Sequence, residues 1–114
     1  MKAILYCRVD GPESPFSIDA LRGQQETLLA YAQAHGMELE RIEMELGCSG
    51  TTLERPGLQA VLQAVREGCA DVILVVNRSR LFRGPMPPEL EEAPFIAVKE
   101  QEARLDREGA AHEL

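Results

Sequence analysis

The run Asp71-Val72-Ile73-Leu74-Val75-Val76 constrains this chain more than any other segment. Its apolar residues follow one another without a polar interruption and most are β-branched, so the run has no face to offer to water. That is the pattern of a central strand in a parallel sheet, covered by helices on both sides. At 114 residues the chain is read as one domain with a single modest core.

The flanking segments supply what such a strand needs. Residues 2–9, KAILYCRV, read as a short buried strand that breaks at Asp10-Gly11-Pro12. Ser17 is the expected N-cap of a first helix, with Ala20 where a full capping box would carry Glu. Ile18, Leu21, Gln25, Leu28, Leu29 and Ala32 keep a helical rhythm that Gly36 ends. Residues 37–45, MELERIEME, alternate apolar and charged, as in a strand with one wet face. Arg55-Pro56 opens a second helix through Leu58, Val61, Leu62 and Val65, closed by Gly68. Beyond Arg83 comes a proline-rich break, then a single helical turn over Glu89–Glu92 and a fourth strand over Pro94–Val98. Residues 100–114 are charged and read either as a short exposed helix or as a frayed tail. The expected fold is therefore α/β: a small three-layer domain over residues 1–99, with a mainly parallel, about four-stranded sheet and right-handed crossovers.

Asp and Glu number 19 against 12 Lys and Arg, for a net charge of −7. Freestanding nucleic-acid binders usually carry the opposite balance, because phosphate neutralisation supplies most non-specific affinity. DNA contact would have to come from a local basic cluster, such as Arg78, Arg80 and Arg83, or from another segment or protein. Cys7, Cys48 and Cys69 form no Cys-x-x-Cys pair and leave one over, so reduced thiols are expected rather than a zinc site or disulfide framework. His35 and His112 are too isolated to suggest ligands, and neither a metal nor a cofactor is expected. No apolar run approaches the roughly 18–20 residues of a membrane span. Met1-Lys2-Ala3-Ile4-Leu5 is not a secretory signal, and a cytoplasmic location without a membrane partner is expected.

Functional groups on a parallel sheet collect at the carboxyl ends of its strands, here near residues 8–10, 45–50 and 77–83. The first carries Tyr6-Cys7-Arg8-Val9-Asp10, with Gln24 and Glu26-Thr27-Leu28-Leu29-Ala30-Tyr31-Ala32 on the helix that follows. The second leads into Ser49-Gly50-Thr51-Thr52-Leu53-Glu54-Arg55-Pro56-Gly57-Leu58, and the third into Ser79-Arg80-Leu81-Phe82-Arg83. In this order and spacing the segments resemble the catalytic domain of serine recombinases (resolvases and invertases), particularly the large transposon and phage type. The resemblance runs through residues 2–83 and less clearly 94–99.

That resemblance implies site-specific DNA recombination. A serine hydroxyl attacks a phosphodiester, leaving a 5′-phosphoserine link and a free 3′-hydroxyl, without a metal. Arginines stabilise the developing charge because their planar forks match phosphate oxygens and stay ionised. By position, Arg8, Arg55, Arg80 and Arg83 would form that phosphate cluster, Gln24 would support it, and Glu45 falls near the family's acidic residue at the end of the second strand. Taken singly, each arginine is more simply a solvated surface charge; it is the four in register that point to a site. Tyr6 reads as packing, and Arg78 has no family counterpart.

The chain departs from the family at three places. Asp10 stands at the nucleophile position, two residues after Arg8. An ionised carboxylate there would repel an incoming phosphate by on the order of 4 kcal/mol at about 4 Å and an effective dielectric near 20, and an aspartyl–phosphate link is prone to hydrolysis. Ser79 replaces the aspartate expected before Arg80. The helix expected after Arg83 is broken by prolines, and neither the family's long dimerisation helix nor a separate DNA-binding domain is seen. The expectation is a catalytically silent domain, a mobile-element remnant or a partner of an intact recombinase. DNA and a homo-oligomer remain the family's partners. Ser14 and Ser17 are alternative nucleophiles, and a small α/β interaction or regulatory module is the alternative class.

Overall fold

A computed structural model describes residues 1–112 of the chain. The elements run β1 (Lys2–Val9), α1 (Pro15–Ala34), β2 (Glu38–Leu46), α2 (Pro56–Arg66), β3 (Val72–Val75), α3 (Arg78–Leu81), α4 (Pro88–Glu91), β4 (Phe95–Ala97) and α5 (Val98–His112). The strands form one sheet in the order β2-β1-β3-β4, and every pairing is parallel. The expected α/β architecture is therefore present.

Two apolar layers sandwich the sheet, and strand alternation assigns each residue to one of them. Ala3, Leu5 and Cys7 of β1 join Val72 and Leu74 of β3 against Leu21, Leu28 and Tyr31 of α1. Ile4 and Tyr6 join Ile73 and Val75 against Leu58, Val61 and Leu62 of α2, with Leu81 and Leu90. All four residues of β3 are buried, as its unbroken apolar run requires.

Several boundaries differ from the sequence reading. Helix α1 starts three residues early, with Ser14 as N-cap and Ser17 at the third helical position. Ser17 N donates to Ser14 Oγ at 3.1 Å while Ser14 N donates to Ser17 Oγ at 2.9 Å, a reciprocal capping box made by two serines. Pro15 favours this start because its fixed φ suits the first helical position and its missing N–H costs nothing there. Gly36 follows the helix with φ +64°, and Met37 N closes back on Ala32 O at 2.9 Å.

Strand β2 lies at the sheet edge, and its alternation is not clean. The register slips between Ala3 and Ile4, whose partners are Leu39 and Arg41, so Glu40 is an extra residue on the β2 side. Leu39 and Met44 on this edge strand remain 46% and 42% exposed. The turn after the proline-rich break is α4, one residue earlier than expected, and β4 is shorter than expected by one residue at each end. Val98, read as the end of that strand, begins α5 and is fully buried. Of the two readings of residues 100–114, the helical one describes the chain through His112, while residues 113 and 114 lie outside the described residues. Tyr31 Oη donates to Gln101 Oε1 at 3.0 Å and ties this helix to α1. Among the described residues no helix is long and apolar enough to cross a membrane.

Candidate active site

Arg8, the penultimate residue of β1, is a fully buried cation on the α2 side of the sheet. Its guanidinium donates to three main-chain carbonyls: Nε to Arg80 O at 2.9 Å, Nη1 to Cys48 O at 3.0 Å and Nη2 to Ser79 O at 2.7 Å. The side chain thereby ties the loop after β2 to α3. Burial, and then the charge of Arg55, lowers its pKa to about 10, so it is still ionised at neutral pH. Gly50 makes room for this group. A Cβ there would stand 2.9 Å from Arg8 Cζ and 3.2 Å from Arg83 Cβ.

Arg55 is buried beside it, at the residue before α2. Its Nε donates to Thr52 O at 2.9 Å, Nη1 to Tyr6 Oη at 3.0 Å and to Arg80 O at 3.2 Å, and Nη2 to Leu81 O. Tyr6 Oη in turn donates to Glu45 Oε1. The Glu45 carboxylate also accepts from Gly57 N and Leu58 N, both at 2.9 Å, and so caps a helix whose own N-cap residue, Arg55, makes no side-chain capping bond. At Gly57 a Cβ would come within 2.7 Å of Glu45 Cγ. Burial, and then Glu45, pushes the Tyr6 phenol up from its ordinary range. Partial burial and the same carboxylate raise the Cys48 thiol.

Gln24 reaches in from α1 and pairs with the main chain of Arg8. Its Oε1 accepts from Arg8 N at 3.1 Å, and its Nε2 donates to Arg8 O at 3.0 Å. Arg80 Nη1 donates to the same carbonyl at 3.2 Å, and Arg80 Nε is buried without a partner. Such an orphan costs more than the roughly 1–3 kcal/mol of a neutral buried donor, because the group is charged.

Asp10 stands just past β1, with its side chain 33% exposed. One carboxylate oxygen, Oδ1, lies against Arg8 Nη1. The other, Oδ2, lies 2.8 Å from Arg83 Nη2 on a largely exposed arginine. Asp10 therefore bridges a buried and an exposed cation. Ser79 is exposed and touches Arg8 through its carbonyl. The hydroxyls of Ser14 and Ser17 are engaged in the helix cap.

The structure thus gathers the other seven candidate residues around Arg8 in different ways. Asp10 and Arg83 meet on its outer side, Arg55 and Glu45 are linked through Tyr6, and Gln24 and Arg80 converge on its carbonyl. Sequence reasoning missed Tyr6 as a polar member, and it missed Gly50 and Gly57 as residues that give the buried charges room. A tyrosine on a buried strand two residues before an arginine was the available signal for the first. Among the described residues no group of three or more His, Cys, Asp or Glu side chains is placed to hold a metal ion.

A family model described as the resolvase N-terminal domain matches residues 3–87. Three similar solved structures are catalytic domains of serine recombinases or integrases. The C-terminal catalytic domain of ISC1926 TnpA, an IS607-like serine recombinase, shares 28% identity at a TM-score of 0.67, over 75% of this chain and 55% of that one. The N-terminal catalytic domain of TP901-1 integrase shares 30% identity at a TM-score of 0.62, over 74% and 60%. The C-terminal catalytic domain of IS1535 TnpA, also IS607-like, shares 26% identity at a TM-score of 0.63, over 82% and 68%. The chain spans somewhat over half the length of the first two. With the matched segment carrying β1, the α1 glutamine and all four arginines, the chain belongs to the resolvase N-terminal domain family.

Proposed function

We propose that this chain is a serine-recombinase catalytic domain that keeps the family's arginines but does not cleave DNA, because Asp10 holds the nucleophile position. The observation that carries this reading is the Asp10 bridge between Arg8 and Arg83. A phosphodiester entering there would meet a carboxylate already paired with two cations. The approach would set like charges against each other, at a cost on the order of 4 kcal/mol for about 4 Å and an effective dielectric near 20. A serine hydroxyl at this place would be neutral and would give up its proton as it attacks, whereas an ionised Asp10 would bring a negative charge to the phosphate. DNA as partner, assembly with a second copy and an origin in a mobile element follow from the family and belong to this proposal.

A second reading makes the domain a non-cleaving partner of an intact recombinase. It is favoured by Arg8 and Arg55, whose donors are spent on main-chain carbonyls and so hold the fold without DNA.

The test is incubation with supercoiled DNA, followed by denaturing separation of covalent protein–DNA adducts. No adduct is expected from the wild-type chain. An adduct that disappears in Asp10→Ala or in Ser14→Ala would overturn the proposal by revealing a working nucleophile. Lowered recombination by an intact relative in the presence of this chain would favour the second reading.

A further inference from the structure

Strand β2 ends the sheet, and among the described residues no strand lies along its outer edge. Such an edge presents a row of main-chain donors and acceptors, a template for pairing with a further strand. Its side chains divide between the two faces as those of β1 do. Leu39, Ile42 and Met44 stand beside Ala3, Leu5 and Cys7 on the α1 face. Arg41 and Glu43 stand beside Ile4 and Tyr6 on the α2 face. Two exposed apolar residues, Leu39 and Met44, therefore share one face of an open edge, and Met44 lines a groove with the exposed Ile18 of α1. On the other face Arg41 Nε lies 3.4 Å from Glu43 Oε1.

A second copy can pair with this edge in the antiparallel sense about a twofold axis perpendicular to the sheet. Residues opposite one another in such a ladder share a face, so the axis must pass through a residue position. With the axis at Ile42, Arg41 of each copy lies opposite Glu43 of the other. The four side chains then form a square in which every edge joins opposite charges, the pair within each chain included. The bulge extends the match. Because Glu40 is an extra residue, Leu39 falls two places from Ile42 in the frame of β1 and comes opposite Met44. The exposed apolar residues thus cover one another on the same face as Ile42. One place further out Glu38 meets Glu45, but Glu45 is buried and bound to Gly57 N and Leu58 N, which ends the ladder.

Other registers lack this complementarity. An axis at Arg41 or at Glu43 sets that residue against its own charge, and one at Met44 sets Glu43 against Glu45. An axis at Leu39 pairs Glu38 with Arg41 but leaves Met44 uncovered, because β2 begins at Glu38.

We propose that this chain self-associates through the β2 edge, antiparallel about Ile42, so that the sheets of two copies join into one. The surface is a strand edge rather than the long helix of the family, and it needs neither DNA nor a nucleophile, so it goes beyond the reading above. So short a ladder buries less than the roughly 1,200–2,000 Å² of a stable interface, and a dissociation constant of about 0.1 mM is the expected order.

Sedimentation equilibrium of the full chain from about 10 µM to about 1 mM, a range that brackets that constant, tests this. A monomer–dimer equilibrium is expected. Arg41→Glu and Glu43→Arg should each weaken it about tenfold, since each sets like charges across the axis. An equimolar mixture of the two variants should regain the dimer, because every pair across the axis is then of opposite sign. Met44→Glu, on the apolar face, should weaken self-association as well, and an unchanged circular dichroism spectrum reports an intact fold in each variant. A chain that stays monomeric throughout would overturn the proposal and leave the edge to a partner of different sequence. A dimer indifferent to these substitutions, or one that the mixture fails to restore, would overturn it too. A covalent DNA adduct from the wild-type chain would overturn the silent-enzyme reading and leave this one standing.

Discussion

Arg8 keeps a positive charge where little water can reach it, and three carbonyls compensate for the lost hydration. On the opposite face of the same strand Cys7 shows the reverse effect, since burial raises its thiol to about 11 from an ordinary 9.0. Between those values the unfolded chain loses the thiol proton and the folded chain keeps it, so stability falls as pH rises from 9 to 11. The loss is on the order of 2–3 kcal/mol. Above pH 10 Arg8 opposes the trend, because its folded pKa is depressed and the unfolded chain then holds the extra proton. Urea unfolding across pH 8–10, by order of magnitude the window where the thiol acts first, should show a falling midpoint that flattens in Cys7→Ala. An identical slope in the variant would refute the assignment. Arg8 and Asp10 were legible in the sequence because the end of β1 is marked by Asp10-Gly11-Pro12, and Arg55 because Pro56 marks the start of α2. The work of Glu45 was not, because its partners Tyr6, Gly57 and Leu58 lie 39, 12 and 13 residues away and carry no local signature.

At the scale of elements, β3 was readable because its composition admits one environment, and α2 because Pro56 and Gly68 bracket an apolar rhythm. The start of α1 was misplaced because Ser14 and Ser17 are both competent caps, and Pro15 decides between them. Ser14→Ala should therefore lower stability by about 1 kcal/mol, read as a shift of the urea midpoint with an unchanged slope. No shift would mean that the helix starts at the later serine. The slip at Glu40 was hidden because a bulge depends on the partner strand and not on the alternation itself. The break between β4 and α5 was equally hidden: Val98 is apolar enough for a strand, and its burial against α1-side residues makes it the first residue of a helix.

For the whole molecule, one sheet with an apolar layer on each face ties distant parts of the chain into a single unit. Leu74 belongs to the α1 layer and Leu58 to the α2 layer, and both are fully buried. Leu74→Ala and Leu58→Ala should each cost about 2–5 kcal/mol. Fluorescence and circular dichroism should report coincident transitions in both variants; separate transitions would show that the two layers unfold independently. The arginines join the loops at one end of this unit. Arg8 and Arg55 fasten the chain after β2 and the turn of α3 to the end of β1 through bonds to carbonyls. A scaffold built this way has a mechanical reason to keep both side chains that does not depend on strand cleavage. Their persistence is a keystone's persistence, and an arginine substitution that abolishes DNA recombination in such an arch reports first on whether the arch still stands.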